Sequence, residues 1–316
     1  MTMRKLFFAI LLSFFSLFFI QNVQASCTPS QSNVSFGTVN SFAIQTSQQE
    51  MVSTTMGLTC TNIVILDLLT QDKVTATIKN NSGFMLSNNS SNSIPYKICK
   101  DVSCNDFYEN QDSIIWNSTQ LIALLSLGRF TVDLPLYLKI LPTTNTDLIA
   151  ETYTDTIEIQ WDWSLCTLGV AVCLARDNSS ATSTVNLTLT VSKICEINSA
   201  PNVEFGSAAL PSNFTSINSN VLQTRCTNQA TYSINLTSDN AEIADMRRML
   251  ATINGSDYYL QYQLYRSGVA WTSINDVSLI GTGSTQSIPY TAEINASQPN
   301  LPAGSYSDTI KVTVTY

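Results

Sequence analysis

Short runs in which apolar and polar residues alternate recur along most of the chain. Val74-Thr75-Ala76-Thr77-Ile78, Ile157-Glu158-Ile159-Gln160-Trp161, Tyr232-Ser233-Ile234-Asn235-Leu236 and Ile310-Lys311-Val312-Thr313-Val314 each put every second side chain on one face. In Thr184 to Val191, Val185, Leu187, Leu189 and Val191 point one way and the residues between them the other. This period-two pattern, rich in β-branched residues and separated by Asn, Ser and Gly turns, predicts an all-β chain of antiparallel strands packed as sandwiches. Helical spacing is sparse, and Ala241 to Met249 is the one stretch that could hold a helical turn.

The longest apolar run, Leu6 to Ile20, follows the basic pair Arg4 and Lys5 and precedes Val23-Gln24-Ala25. That is the three-part layout of a secretory signal peptide, with a cut expected before Ser26. The run falls short of the roughly 20 residues that a spanning helix needs, which disfavours an uncleaved anchor. The mature chain is therefore expected to be exported. Loss of Arg4 and Lys5 with residues 1–25 moves the formal charge from −8 to −10. So acidic a chain has no basic footprint for nucleic acid and is a poor match for anionic membranes. With 8 Cys, an even number, in an exported chain, disulfides are the natural reading. Zinc is a poor competitor, because the chain has no His and no pair of short Cys-x-x-Cys knuckles.

The chain also repeats itself. Cys27 to Cys60 spans 33 residues and Cys195 to Cys226 spans 31. Val34-Ser35-Phe36-Gly37 and Val203-Glu204-Phe205-Gly206 follow the first cysteine of each pair. Cys60-Thr61-Asn62 matches Cys226-Thr227-Asn228, and Tyr153-Thr154-Asp155-Thr156-Ile157 matches Tyr306-Ser307-Asp308-Thr309-Ile310. Four landmarks in one order indicate an internal duplication. The predicted units are residues 1–25 (signal peptide), 26–193 and 194–316. After Tyr153 the first copy continues to the strand Thr184–Val191, which the second copy lacks before Tyr316. The first sandwich is expected to be complete and the second to want its last strand. An apolar edge left open in this way aggregates or accepts a strand from another chain.

These landmarks, together with the terminal stretch Gly304 to Tyr316, resemble the spore coat protein U domain family, which supplies pilins to archaic (Csu-type) chaperone–usher pili. The resemblance covers essentially the whole mature chain. It implies two tandem immunoglobulin-like β-sandwiches and the disulfide pairs Cys27/Cys60 and Cys195/Cys226. Nearness, with the repeat accounting for those four, points to Cys99 with Cys104 and Cys166 with Cys173. The implied partners are a periplasmic chaperone, an outer-membrane usher and an adjacent pilin subunit that donates a strand to a groove formed by Ile310, Val312, Val314 and Tyr316. Shaft pilins both accept and donate. Cleavage before Ser26 would leave one residue ahead of Cys27, so this chain is expected to accept only, as a tip adhesin does.

In such a sandwich the loops between the second and third strands and between the last two share one end. Thr184–Val191 leads into Cys195, so that end is expected to point away from the second domain. It would hold Ile63, Val64, Ile65, Leu66, Leu68 and Leu69, and the stretch Trp161–Arg176 with Trp163, Leu165, Leu168, Val170, Val172 and Leu174. The Cys99–Trp116 insertion, with Phe107 and Tyr108, is a third candidate. Apolar loops need a reason. Ile63–Leu69 also fits a buried strand, whereas two cysteines with six residues between them close a small rigid loop. Exposed, these loops would bind abiotic or host surfaces and support biofilm formation.

Other classes find less support. Without His, Ser–His and Cys–His nucleophile systems are excluded and the usual general base is missing. Glu158 and Asp162 read as solvated strand residues, and Asp101, Asp106, Glu109 and Asp112 lack the spacing of a calcium loop. No catalytic residue, metal or cofactor is expected. A lectin using Trp116, Trp161 and Trp163, or a coat or matrix protein, remains the alternative.

Overall fold

A computed structural model describes residues 25–47, 49–63, 71–90, 92–144, 147–169 and 172–316. The expected signal peptide, apart from Ala25, lies outside them, as do Val64–Leu69 and Val170.

The first half contains β1 (Ser26–Pro29), β2 (Ser32–Asn40), α1 (Ser41–Thr46), β3 (Val52–Thr61), β4 (Lys73–Lys79), β5 (Met85–Ser87), β6 (Ser93–Cys99) and β7 (Phe107–Tyr108). It continues through β8 (Ser113–Asn117), α2 (Ser118–Leu124), β9 (Arg129–Ile140), β10 (Thr152–Gly169) and β11 (Cys173–Ser192). The second half comprises β12 (Cys195–Ser199), β13 (Ile217–Cys226), β14 (Thr231–Ser238), β15 (Arg247–Ile253), β16 (Ser256–Arg266), β17 (Val269–Ala270), β18 (Val277–Ile280), β19 (Thr285–Ile294) and β20 (Ile310–Thr315).

In the first sandwich one layer runs β1-β3-β9-β6-β7 and the other β8-β4-β10-β11-β2, with β5 bonded to both β6 and β10. The alternating faces read from the sequence meet between these layers. Val132, Leu134, Leu136 and Leu138 of β9 face Ile157, Ile159 and Trp161 of β10 and Val185, Leu187 and Leu189 of β11, all in one buried cluster. The second half repeats the plan as β12-β13-β19-β16-β15 and β18-β14-β20 around its own core. Even the link between layers recurs, since Thr154 pairs with Ser87 and Ser307 with Leu250. These are two immunoglobulin-like β-sandwiches.

Local chemistry explains several landmarks. Tyr153 donates its hydroxyl to Ile149 O at 3.0 Å and Tyr306 to Pro302 O at 2.8 Å, the tyrosine corner of such sandwiches repeated in both copies. Gly37 (φ +78°) sits where the parallel ladder of β2 on β11 slips by one residue, a backbone shape that favours glycine. Gly206 keeps the same φ, +76°. Disulfides join Cys27–Cys60, Cys99–Cys104, Cys166–Cys173 and Cys195–Cys226.

Helix forms where the alternation did not predict it. Asn40 caps α1, and Asn117 with Gln120 forms a capping box on α2. Conversely, Ala241–Met249 is not helical. Ile243 and Met246 exchange backbone hydrogen bonds across a tight turn, with Ala244 and Asp245 at positive φ, and Arg247 already begins β15.

The two sandwiches touch through α1 and the residues near Asp147. Ser41 and Thr227 share a buried hydroxyl hydrogen bond of 2.9 Å, Asn228 donates to Asp147 O, and the Arg225 guanidinium lies 3.9 Å over the Phe42 ring. Gly283 packs so closely on Asp147 that a Cβ there would sit 2.5 Å from its side chain.

Candidate functional site

The two copies of the tyrosine-corner strand have different surroundings. β10 is bonded on one side to β4 and on the other to β11, which in turn carries β2. Among the described residues β20 has β14 as its one ladder partner. The segment Val203–Gly206, counterpart of Val34–Gly37, forms no strand pairing. A cavity of about 430 Å³ opens between it and β20, walled by Val203, Phe205, Leu236, Leu264, Ile310 and Val312. Its floor is the second core. Ile310, Val312 and Val314 all face inward yet are half-buried, and Tyr316 is exposed.

A polar clasp closes one end of this groove. Asp308 accepts from the Tyr262 hydroxyl at 2.7 Å, from Asn240 Nδ2 at 2.9 Å and from the Ser238 hydroxyl. The first sandwich has the same device: Asp155 accepts from Tyr96 at 2.6 Å, Asn80 at 2.8 Å and Ser82 at 2.7 Å. Burial, then the hydrogen bond to the aspartate, drives both phenols well above the usual tyrosine range. The sequence showed the repeated aspartate but not its partners, which come from other strands.

At the opposite end of the molecule, β10 and β11 run on as a hairpin beyond Ser164, the last residue of β10 paired with β4. Here Trp161–Arg176 was expected to be a loop, but strand alternation continues nearly to its turn and sorts the side chains. Trp163 and Leu165 point into the core, as does Ile63 next to Gly128, so these three offer no contact surface. Leu168, Val172 and Leu174 stand outward, 50%, 71% and 75% exposed, around the Cys166–Cys173 bridge. The last residue of α2, Leu124, and Leu127 in the α2–β9 connection add to the same end. Leu127 is fully exposed, in a two-residue turn at φ +50°. Neither residue belongs to an alternating run or a disulfide loop, and the signal that could have found them is the mostly apolar stretch Leu121–Leu127 ending at Gly128.

Phe107 and Tyr108 are not at this end. They form β7 on the edge of β6, where Cys99 pairs with Tyr137, far along β9 from Arg129. Both are half-buried, with Lys97 Nζ 4.0 Å over the Phe107 ring. The tryptophans offered as a sugar platform are mostly interior: Trp161 bonds to Ser183 and stacks on Trp116, and Trp163 donates to the buried Asp177. Glu158 and Asp162 lie exposed on β10. Asp106 pairs with Lys100, and Asp101 caps Ser103 and Cys104. Among the described residues no group of three or more His, Cys, Asp or Glu could hold a metal.

The model of the Spore Coat Protein U domain matches residues 14–160 and 181–313. No curated protein matches the chain. Among solved structures, a chain of the CsuC–CsuE chaperone–tip adhesion subunit pre-assembly complex from archaic chaperone–usher Csu pili of Acinetobacter baumannii is similar. It is 21% identical, with 92% of this chain and 100% of that chain covered and a TM-score of 0.54. The CupB6 tip adhesin from Pseudomonas aeruginosa is more distant, at 13% identity, coverage of 93% and 94%, and a TM-score of 0.38. The first likeness supports the two-sandwich fold.

Proposed function

The chain belongs to the spore coat protein U domain family, and from that premise we propose that it is the tip adhesin of a chaperone–usher fibre, exported through the periplasm to the bacterial surface. Its second sandwich takes a strand first from a periplasmic chaperone and then, at the outer-membrane usher, from an adjacent pilin subunit. Its first sandwich meets the abiotic or host surface and supports biofilm formation.

One contrast carries this reading. Ile157, Ile159 and Trp161 are fully buried beneath the closed first sandwich, whereas their counterparts Ile310, Val312 and Val314 remain half-buried beside an unpaired edge. A strand edge that is apolar on its inner face recruits another strand. β11 is the template for the guest. It runs antiparallel to β10 and seats Val185, Leu187, Leu189 and Val191 in the core. The guest on β20 should likewise run antiparallel, with an apolar residue at every second position. At the far end, partial engagement of Leu168, Val172 and Leu174 gives each less than the roughly 1.5–3 kcal/mol of full burial. Many fibres per cell multiply such weak contacts through avidity. The likeness to a subunit captured with its chaperone agrees with this assignment.

The test is to append a copy of Thr184–Ser192 to the full chain after Tyr316 through a short Gly/Ser linker. The unmodified chain should aggregate when produced without a chaperone. The fusion should be monomeric, with its second thermal transition raised, and a control copy with the four apolar residues changed to Ser should rescue nothing. An unmodified chain that is monomeric and gains no stability from the fusion would mean that the second sandwich needs no guest.

A further inference from the structure

Past Ser164 the β10–β11 hairpin has no strand beside it among the described residues, and β2 joins β11 only from Val185 onward. A two-stranded ribbon without neighbouring strands is marginal and prone to twist; here its base is seated, with Leu165 in the first core and Cys166 and Thr167 buried, so that the direction of its outer part is what remains to be fixed. The Cys166–Cys173 bridge and the hydrogen bond from Thr167 Oγ1 to Ala175 O are internal to the ribbon, so they stiffen it without fixing its direction. Another group does tie it to the sandwich. The side chain of Asp72, just before β4, is fully buried and lies 3.0 Å from Arg176 Nη1 on β11. Its Oδ1 also accepts the backbone N–H of Cys166 at 2.9 Å. The same guanidinium nitrogen reaches Ser164 O at 3.1 Å, Ser164 Oγ at 3.1 Å and Gln71 O at 3.2 Å. One ion pair thus holds both strands of the ribbon and the chain entering β4.

We propose that Asp72 and Arg176 are positioning residues that fix the direction of the hairpin tip, so that Leu168, Val172 and Leu174 are presented on a rigid mount; the inference rests on the adhesive reading of that tip. An ion pair whose carboxylate is buried and whose guanidinium is partly exposed contributes little net stability compared with well-packed apolar side chains, because desolvation offsets its attraction. What it adds here is direction: the two N–H groups of Arg176 Nη1 are shared among Asp72, Ser164 and Gln71, and Asp72 Oδ1 also accepts from Cys166 N. A tip held in its contact geometry before it meets a surface loses less freedom on attachment than a swinging one.

Arg176→Ala and Asp72→Asn would be made in the full chain and compared with Leu168→Ser/Val172→Ser. Amide hydrogen exchange would be followed in Ser164–Thr167 and Cys173–Asp177, with Ile157–Trp161 and Val185–Val191 as internal reference. Both Arg176→Ala and Asp72→Asn should quicken exchange at the tip by about tenfold or more while the reference strands keep wild-type rates, and attachment to hydrophobic plastic should fall several-fold. Wild-type tip exchange in both variants would overturn the proposal whatever happens to attachment. Acceleration spread equally over the reference strands would overturn it too, since the pair would then be a general stabiliser. Separately, undiminished attachment by Leu168→Ser/Val172→Ser would remove the adhesive reading and leave the exchange result to judge the Asp72–Arg176 pair.

Discussion

Tyr153 shows how much can hang on one hydroxyl. Burial, reinforced by the charge of Glu151, pushes its phenol up to about 12. The folded chain therefore holds this proton more tightly than the unfolded chain does. The resulting stability is fully present below the unfolded value of about 10 and is lost as pH rises through about 12. Tyr153→Phe should cost about 1 kcal/mol near neutral pH, the worth of its bond to Ile149. It should also shrink the alkaline decline, as read by denaturant unfolding over a pH series. Some decline will persist through Tyr96 and Tyr262, raised in the same direction. At this scale the repeated landmarks were legible because each has a local cause: a corner hydroxyl bonding four residues back, a glycine at positive φ. The Asp155 and Asp308 networks were not, since Tyr96 and Tyr262 reach them from strands distant in the chain.

Among the elements, the β10–β11 hairpin separates what the sequence revealed from what it hid. Composition marks Trp161–Arg176 as unusual but does not by itself sort its apolar residues into an inward and an outward face. Alternation was legible in Trp161, Trp163 and Leu165 and would have sent those three inward, as the fold does. The two faces should separate cleanly by experiment. Leu165→Ala should lower stability by about 2–5 kcal/mol through the cavity it leaves. Leu168→Ser with Val172→Ser should change stability by only about 0.5 kcal/mol per site, yet reduce attachment to hydrophobic plastic. Equal thermal losses in both variants would show that the outward face is also part of the core. The short helices were missed for a different reason: α1 and α2 have 6 and 7 residues, too few for a periodicity to emerge, and rest on their Asn caps.

For the molecule as a whole, the duplication was written plainly enough to give two sandwiches, but nothing in it described how they meet. The joint uses Thr227 and Asn228 of the second copy, whereas their repeats Thr61 and Asn62 lie at the opposite end of the first sandwich. Equal motifs therefore do unequal work. Arg225 is central to this joint, bonding to Gln45 and Gly283 while covering Phe42. Arg225→Ala should leave each sandwich folded and broaden the distribution of interdomain distances measured by paired spin labels on the full chain. An unchanged distribution would show that Ser41, Asn228 and the close packing of Gly283 suffice.

The same hairpin that carries the tip also reaches the joint, because β11 runs unbroken from Cys173 to Ser192 and Cys195 follows three residues later. A surface that drags on the tip while the second sandwich is anchored pulls β11 along its own length. The tension runs in the covalent backbone of β11, and its hydrogen bonds to β10 and β2, lying across that pull, would resist any sliding of the strand in shear instead of peeling one after another. Tension leaving Ser192 passes at once to Cys195, whose covalent bridge to Cys226 spreads it into β13. If the tip attaches as proposed, drag on an attached cell would therefore run along one strand and one disulfide into the second sandwich.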